Sequence, residues 1–258
     1  MKRLLAMPPH ERKRLAGALE SGLVGVPCTE AALRAAGISE CAVEVVAALE
    51  SLSRLGITGL GAAAWLTMID EVASRTPQPD LVWSGPEVSG LHARDTRRVY
   101  EELLSSAERS LWATTYAFFD GPKAFEVISK RMDSVQDLEV TLLLNIERKH
   151  GDTTSPDALV RRFTDRFWGE EWPGARRPRV FYDPRALELP WPAGVLHAKA
   201  VVKDDEAVFI TSANLTEAAL DRNIELGLVV RDTALAATVT THFRGLIERG
   251  LLKPLPAS

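Results

Sequence analysis

The side chains with most to offer chemically cluster late in the chain: His197 and Lys199 in the run His197-Ala198-Lys199-Ala200, then Ser212 and Asn214, then Glu225. They punctuate apolar alternation of the kind that strands carry, and a period of two places His197 and Lys199 on one face of one strand. The next apolar run, Ala207 to Ile210, returns beside it through a turn at Asp204-Asp205, and its end delivers Ser212 and Asn214 to the same edge. An imidazole, an ammonium, a hydroxyl and a carboxamide then converge on one point. Phosphoryl transfer asks for that set: a nucleophile or base, donors for the non-bridging oxygens, and a group that keeps the nucleophile in the right tautomer. His197 is the expected nucleophile through one ring nitrogen, with the other donating to a carboxylate such as Glu225. Lys199 and Asn214 are expected to hold phosphoryl oxygens, and Ser212 to add a hydroxyl donor.

His197, Lys199 and, after four further residues, Asp204 resemble the HKD motif of the phospholipase D superfamily. Ser212, Asn214 and Glu225 also fall where its single-motif nucleases place phosphate donors and the carboxylate that orients the histidine. Thr211 departs from the pattern, since superfamily members often carry glycine there. A lone His-x-Lys arises often by chance; several correctly spaced polar residues do so far less readily. The resemblance implies an α/β fold, a phospholipase D-like mixed, largely parallel sheet flanked by helices. It also implies a catalytic set of His197, Lys199, Asp204, Ser212, Asn214 and Glu225 that cleaves a phosphodiester through a phosphohistidine. No metal or cofactor is expected, on the resemblance and on the absence of an acidic cluster from the sequence. A phosphohistidine route needs a second group to protonate the leaving oxygen, and the chain has one motif. Single-motif members of the superfamily dimerise to complete the site, so a C2 homodimer with both copies of His197 facing one phosphate is expected.

The elements that must position these groups follow from the pattern of the remaining chain. Residues 1 to 80 are rich in Ala, Leu and Glu and poor in alternation, which predicts short packed helices. Pro8-Pro9 opens one, Thr29 caps a second that Gly37 stops, and Ser39-Glu40 opens a longer one reaching Leu55-Gly56. The second and third resemble a helix-turn-helix, though a helical module for structure or partner docking is the plainer reading. Thr76-Pro77-Gln78-Pro79-Asp80 reads as a linker, and residues 81 to 258 as the catalytic domain. There a helix from Asp95 to Ser110, a strand Leu111 to Phe119, a helix Pro122 to Met132, a strand Leu138 to Ile146 and a strand Arg179 to Tyr182 alternate, which predicts a largely parallel sheet covered on both faces. A closing helix runs from Thr233 to Arg249. Tyr116 and Asp120 lie near a strand's C-terminal end, with core packing favoured for Tyr116. His92, followed by Ala93 and Arg94, imitates the start of the motif and lacks the rest.

With 31 Lys and Arg against 35 Asp and Glu, the net charge of -4 does not advertise nucleic-acid binding, so a local patch must supply it. Arg161, Arg162, Arg166, Arg176 and Arg177, interleaved with Phe163, Phe167, Trp168 and Trp172, suit a strand of nucleic acid; an amphipathic helix with aromatic core residues is the equal alternative. Two cysteines, Cys28 and Cys41, form neither a disulfide framework nor a metal pattern, and no export signal or membrane span is evident, so a cytoplasmic protein is expected. The helical leader, Trp83-Ser84-Gly85-Pro86 and Ser-Ala-Asn-Leu-Thr at 212 to 216 resemble the phospholipase D-like protein of bacterial DISARM phage-defence systems. That resemblance implies single- or double-stranded DNA as substrate, and helicase and methyltransferase components as partners. A nucleic-acid-binding scaffold with little catalysis and a lipid phosphodiesterase remain the alternatives, the latter disfavoured by the lack of an amphipathic membrane segment.

Overall fold

Apolar runs at 110 to 115, 139 to 144 and 200 to 211 build the centre of the fold, described by a computed structural model over residues 4, 7–38, 42–75, 78–86, 92–189 and 194–257. The chain divides into two compact units, Met1–Pro77 and Gln78–Ser258.

In the first unit four helices, α1 (Pro9–Glu20), α2 (Glu30–Ala35), α3 (Ala42–Arg54) and α4 (Gly59–Arg75), enclose Leu15, Leu19, Leu33, Val45, Leu49, Leu52 and Leu66. Proline starts α1, where its missing N–H costs nothing. Thr29 caps α2 by accepting from the Ala32 amide at 3.3 Å, and Gly37 ends it with φ +75°, a conformation that favours glycine. Arg12 is buried and bonds Asp70 across the bundle at 3.0 Å. The expected opener at Ser39-Glu40 lies outside the described residues.

The second unit holds one nine-stranded sheet. Its strands are β1 (Asp80–Ser84), β2 (Arg94–Asp95), β3 (Ser110–Thr115), β4 (Glu139–Leu144), β5 (Arg179–Tyr182), β6 (Ala200–Lys203), β7 (Ala207–Thr211), β8 (Glu225–Val230) and β9 (Lys253–Pro254), in the order β2-β1-β8-β7-β6-β3-β4-β5-β9. Helices α5 (Thr96–Ser105), α6 (Gly121–Ala124), α7 (Glu126–Ser134) and α8 (Pro156–Arg166) belong to one side, where α5, α7 and α8 bury Val99, Leu103, Ile128 and Phe163 with Leu111, Leu142, Val201, Phe209 and Val229 of the sheet. Helix α9 (Thr233–Glu248) crosses the other side and covers Trp112, Val202 and Val208.

The α/β class agrees with expectation, and the balance of the sheet does not. Only β1–β2, β3–β4 and β4–β5 are parallel, while β1–β8, β3–β6, β5–β9, β6–β7 and β7–β8 are antiparallel. The physical reason is connection length. Asp204 and Asp205, at φ +54° and +55°, turn β6 straight back into β7, and so short a link permits only an antiparallel neighbour.

Asp204 itself corrects a second expectation. It lies at the turn end of the hairpin, just after β6, whereas His197 lies before the other end of that strand, so Asp204 is no part of the reacting group. Its buried carboxylate accepts the amides of Glu108, Arg109 and Ser110 at 2.7 to 3.1 Å. These bonds also explain why α5 stops at Ser105 and not at Ser110: the following amides turn to Asp204 instead of continuing the helix. Burial pushes the Asp204 carboxyl up, but the three amides and Lys203 outweigh it and hold the group below its ordinary 3.8. A carboxylate with a lowered folded pKa stabilises the fold above its unfolded value and loses that contribution as pH falls through the folded one. Asp204→Asn should therefore lower the unfolding free energy at pH 7 by about 3 kcal/mol, measured by urea titration. The gap between wild type and variant should close as the pH is taken below 3.8.

Candidate functional site

Three sequence segments meet at the end of the sheet opposite Asp204. The first leaves β3 at Thr115, the second enters β6 at Ala200, and the third runs from the end of β7 through Asn214 to the start of β8. His197 to Lys199 precede β6 as irregular chain, because the β3 ladder they would extend ends at Thr114–Ala200. Thr114 Oγ1 donates to the Ala198 carbonyl at 3.0 Å and keeps this segment beside β3 nonetheless.

Lys199 is 8% exposed, and its ammonium sits 3.0 Å from both ring nitrogens of His197 while donating to the His197 carbonyl at 3.0 Å. The Tyr116 ring closes the other side, 4.8 Å from the His197 ring and 5.7 Å from the Lys199 ammonium. Burial pushes the Lys199 pKa down and the charge of Glu225 pushes it back up, with a net lowering. A positive charge so poorly hydrated is a standing attraction for an anion.

Asn214 is set by its carbonyl. Oδ1 accepts from the Ala117 amide at 3.2 Å, which fixes the flip of the carboxamide and leaves its NH2 to a ligand; Thr115 Oγ1, 3.4 Å away, donates to the Ala117 carbonyl at 2.7 Å. Thr115 Oγ1 in turn accepts from the Leu215 amide at 3.2 Å.

Ser212 and Glu225 behave differently from expectation. Ser212 Oγ donates to the Glu225 carboxylate and accepts from the Leu226 amide at 3.2 Å, so its proton is directed to Glu225 and not to a phosphate. Asn223 Nδ2 adds a bond to the same carboxylate at 3.4 Å. Among the described residues the His197 ring meets Lys199 and Tyr116, and Glu225 reaches the pair through its field on Lys199.

Thr211, where glycine was the familiar residue, is accommodated from across the ladder. Its partner is Gly227, and a Cβ there would lie 2.7 Å from Phe209 Cε2, 2.9 Å from the Ile210 carbonyl and 3.0 Å from Thr211 Cβ. The close approach has moved one strand over.

The basic and aromatic stretch resolves largely into core. Phe163, Phe167 and Trp172 are buried with Phe125. Arg176 corrects its assignment to nucleic acid, because its guanidinium donates to the carbonyls of Met132, Val135 and Gln136. It and Arg177, which stacks 4.6 Å over Trp168, precede β5. Since β3, β4 and β5 run parallel, that places both at the Asp204 end of the sheet. Arg161, Arg162 and Arg166 face solvent on α8, with Arg166 paired to Glu171 at 3.4 Å. Exposed cations that the strand directions place at the His197 end include Lys149, in the loop after β4, and Arg222, at the end of a short π-helix before β8. Sequence reasoning passed over both, and only the strand directions reveal them. Tyr116, expected in the core, belongs to the site.

Residues 100–247 match the family described as cardiolipin synthase, PLD-like domain, and this covers more than half of the chain. The protein belongs to this phospholipase D-like family. Comparison with curated protein sequences gives no match. Among solved structures, similarity is found to Nuc, a phospholipase D family member from Salmonella typhimurium (16% identity, 70% of this chain and 99% of that one, TM-score 0.45), and to NucT from Helicobacter pylori (20%, 67% and 96%, TM-score 0.45). Phosphatidylserine synthase of Haemophilus influenzae Rd KW20 is also similar, at 14% identity over 74% of this chain and 47% of that one, with a TM-score of 0.44.

Two substitutions separate site from scaffold. Asn214→Asp keeps the acceptor that the Ala117 amide needs but presents no N–H to a phosphate, so turnover should fall about 100-fold with the melting temperature little changed. Gly227→Ala should do the reverse, costing about 1–3 kcal/mol of stability by overpacking, read from the urea midpoint.

Proposed function

We propose that this chain is a phosphodiesterase that cleaves nucleic acid through a phosphohistidine. The observation that carries the reading is the buried Lys199 ammonium 3.0 Å from the His197 ring, with the Asn214 amide group turned to the same end of the sheet. A phosphate drawn to Lys199 and Asn214 comes within reach of an imidazole nitrogen. That nitrogen forms a bond to phosphorus as the bond to the leaving oxygen breaks, and water later displaces the histidine. Lys149 and Arg222 at the same end favour a polyanion that extends beyond the scissile group. Among the described residues no single helix is long and apolar enough to cross a membrane.

The leaving oxygen needs a proton, and the motif supplies one imidazole per chain. The proposal assigns that proton to His197 of the partner subunit in a C2 homodimer. Support comes from the sheet side that α9 leaves bare: Leu81, Ile210, Leu226 and Leu228 are exposed there, on strands that end at Ser212 and Glu225. A second copy laid on this row would bring two such ends together.

We also propose a role in bacterial phage defence like that of DrmC of DISARM systems, beside a helicase and a methyltransferase. What supports it is the helical leader, the run Trp83-Ser84-Gly85-Pro86, where Trp83 Nε1 donates to the Pro86 carbonyl at 3.1 Å, and the Ser-Ala-Asn-Leu-Thr segment.

Incubating pure protein in EDTA with labelled single- and double-stranded DNA, RNA and a lipid diester tests the reaction, and cleavage confined to the lipid would overturn the nucleic-acid reading. Mixing His197→Ala chains with wild type tests the shared site. Activity should fall as the square of the wild-type fraction, because heterodimers lack either attack or proton donation; a linear fall would mean independent sites.

A further inference from the structure

A cleft adjoins the reacting groups and is not used by them. It is open to solvent on one side, and its apolar wall is formed by Leu104, Val127, Leu215 and Leu220. Phe119 stands at its lip with 74% of its surface exposed, unusual for a phenylalanine that no neighbour covers. Two of these residues are continuations of the site itself. Leu215 directly follows Asn214, and Phe119 follows Tyr116 by three positions, the two segments being held together by the Phe118–Leu215 bridge. The floor is fixed by the Tyr100 hydroxyl, which donates to the Ala213 carbonyl at 3.1 Å.

The charges at the rim decide what the cleft can take. Arg97 bonds Asp221 at 2.6 and 2.9 Å and also bonds Glu217, and Lys123 pairs with Glu217 as well. Two cations, Arg97 and Lys123, face three carboxylates, Glu101, Glu217 and Asp221, and leave no positive charge for a phosphate. The cleft thus suits a flat, uncharged, largely apolar group, while the phosphate charge belongs at Lys199 and Asn214 one residue away. A nucleobase is such a group, and every base offers a π-face to an aromatic ring. A base stacked inside a duplex cannot reach a side pocket without leaving the stack.

We infer that this cleft holds an unpaired base of the substrate strand, with Phe119 as its stacking platform, so that the protein selects single-stranded nucleic acid. The inference rests on the nuclease reading above for its setting, and its test is a binding measurement that does not require cleavage. The full chain carrying His197→Ala, which keeps the strands intact, is titrated by fluorescence anisotropy with labelled oligothymidylate, with a strand of equal length and charge built from abasic residues, and with a duplex. The base-bearing strand should bind about tenfold more tightly than the abasic one, and adding Phe119→Ala should erase the difference. Equal binding of the two strands, a difference that survives Phe119→Ala, or a duplex bound as tightly as the single strand would each overturn the inference. So would a change of molecular mass on light scattering of the Phe119→Ala chain, which would make Phe119 a subunit contact. Cleavage by the wild-type chain is scored separately. Its failure on every diester would defeat the catalytic reading and leave the base preference to stand on the binding data.

Discussion

Three backbone amides ending on one buried carboxylate hold the sheet of the second unit in register. Glu108, Arg109 and Ser110 donate to Asp204 at the point where the chain enters β3 and where β6 turns into β7. Fixing those two points together sets Leu111 opposite Lys203 and, three rungs on, Thr114 opposite Ala200. From there Tyr116 lies two residues beyond one strand's rung and Lys199 one residue before the other's. A slip of one residue would turn every side chain of β6 to the wrong face and carry Lys199 with it. Asp204 thus affects the reacting groups from the far end of a strand, through register and not through contact.

At the other end the electrostatics are deliberately unbalanced. A buried cation normally needs a close partner, since desolvation in a medium of low dielectric costs several kcal/mol. Lys199 has a carbonyl, an imidazole and a ring face around it, and its counter-charge, Glu225, acts at a distance while bonded to Ser212 and Asn223. The consequence is local. A chain with net charge -4 repels polyanions as a whole and still offers, at one dry point, a charge whose attraction for phosphate is little screened.

Whatever depended on type and spacing along one segment was legible in the sequence. The strand Arg179–Tyr182, the Thr29 cap, the Asp204-Asp205 turn and the closeness of His197 to Lys199 all follow from local pattern. What was hidden depended on strand direction or on the partner across a ladder. Period two cannot tell a parallel neighbour from an antiparallel one, so pattern alone makes the sheet more parallel than it is and groups Arg176 and Arg177, which precede β5 at the Asp204 end, with the arginines of α8. Tyr116 looks like any half-apolar strand residue until β3 is seen to stop at Thr115, where the loop amide of Ala117 turns to Asn214. Gly227 carries no local signal at all, because a side chain there would crowd Phe209, Ile210 and Thr211 on the neighbouring strand.

The two sides of the sheet are finished to different degrees, and the difference bears on where chemistry can occur. Helices bury one side fully, and α9 covers Trp112, Val202 and Val208 on the other, but the row Leu81, Leu228 and Ile210, in direct register across β1, β8 and β7, is left 43% to 50% exposed. At about 25 cal/mol per Å² of apolar surface, leaving such a row in water forgoes the stabilisation that covering it would supply. The row leads directly to Leu226 and Glu225. Covering it and enclosing the Lys199 charge are therefore one event in the proposed dimer: the surface whose burial would drive association borders the groups that need water excluded and a second imidazole supplied.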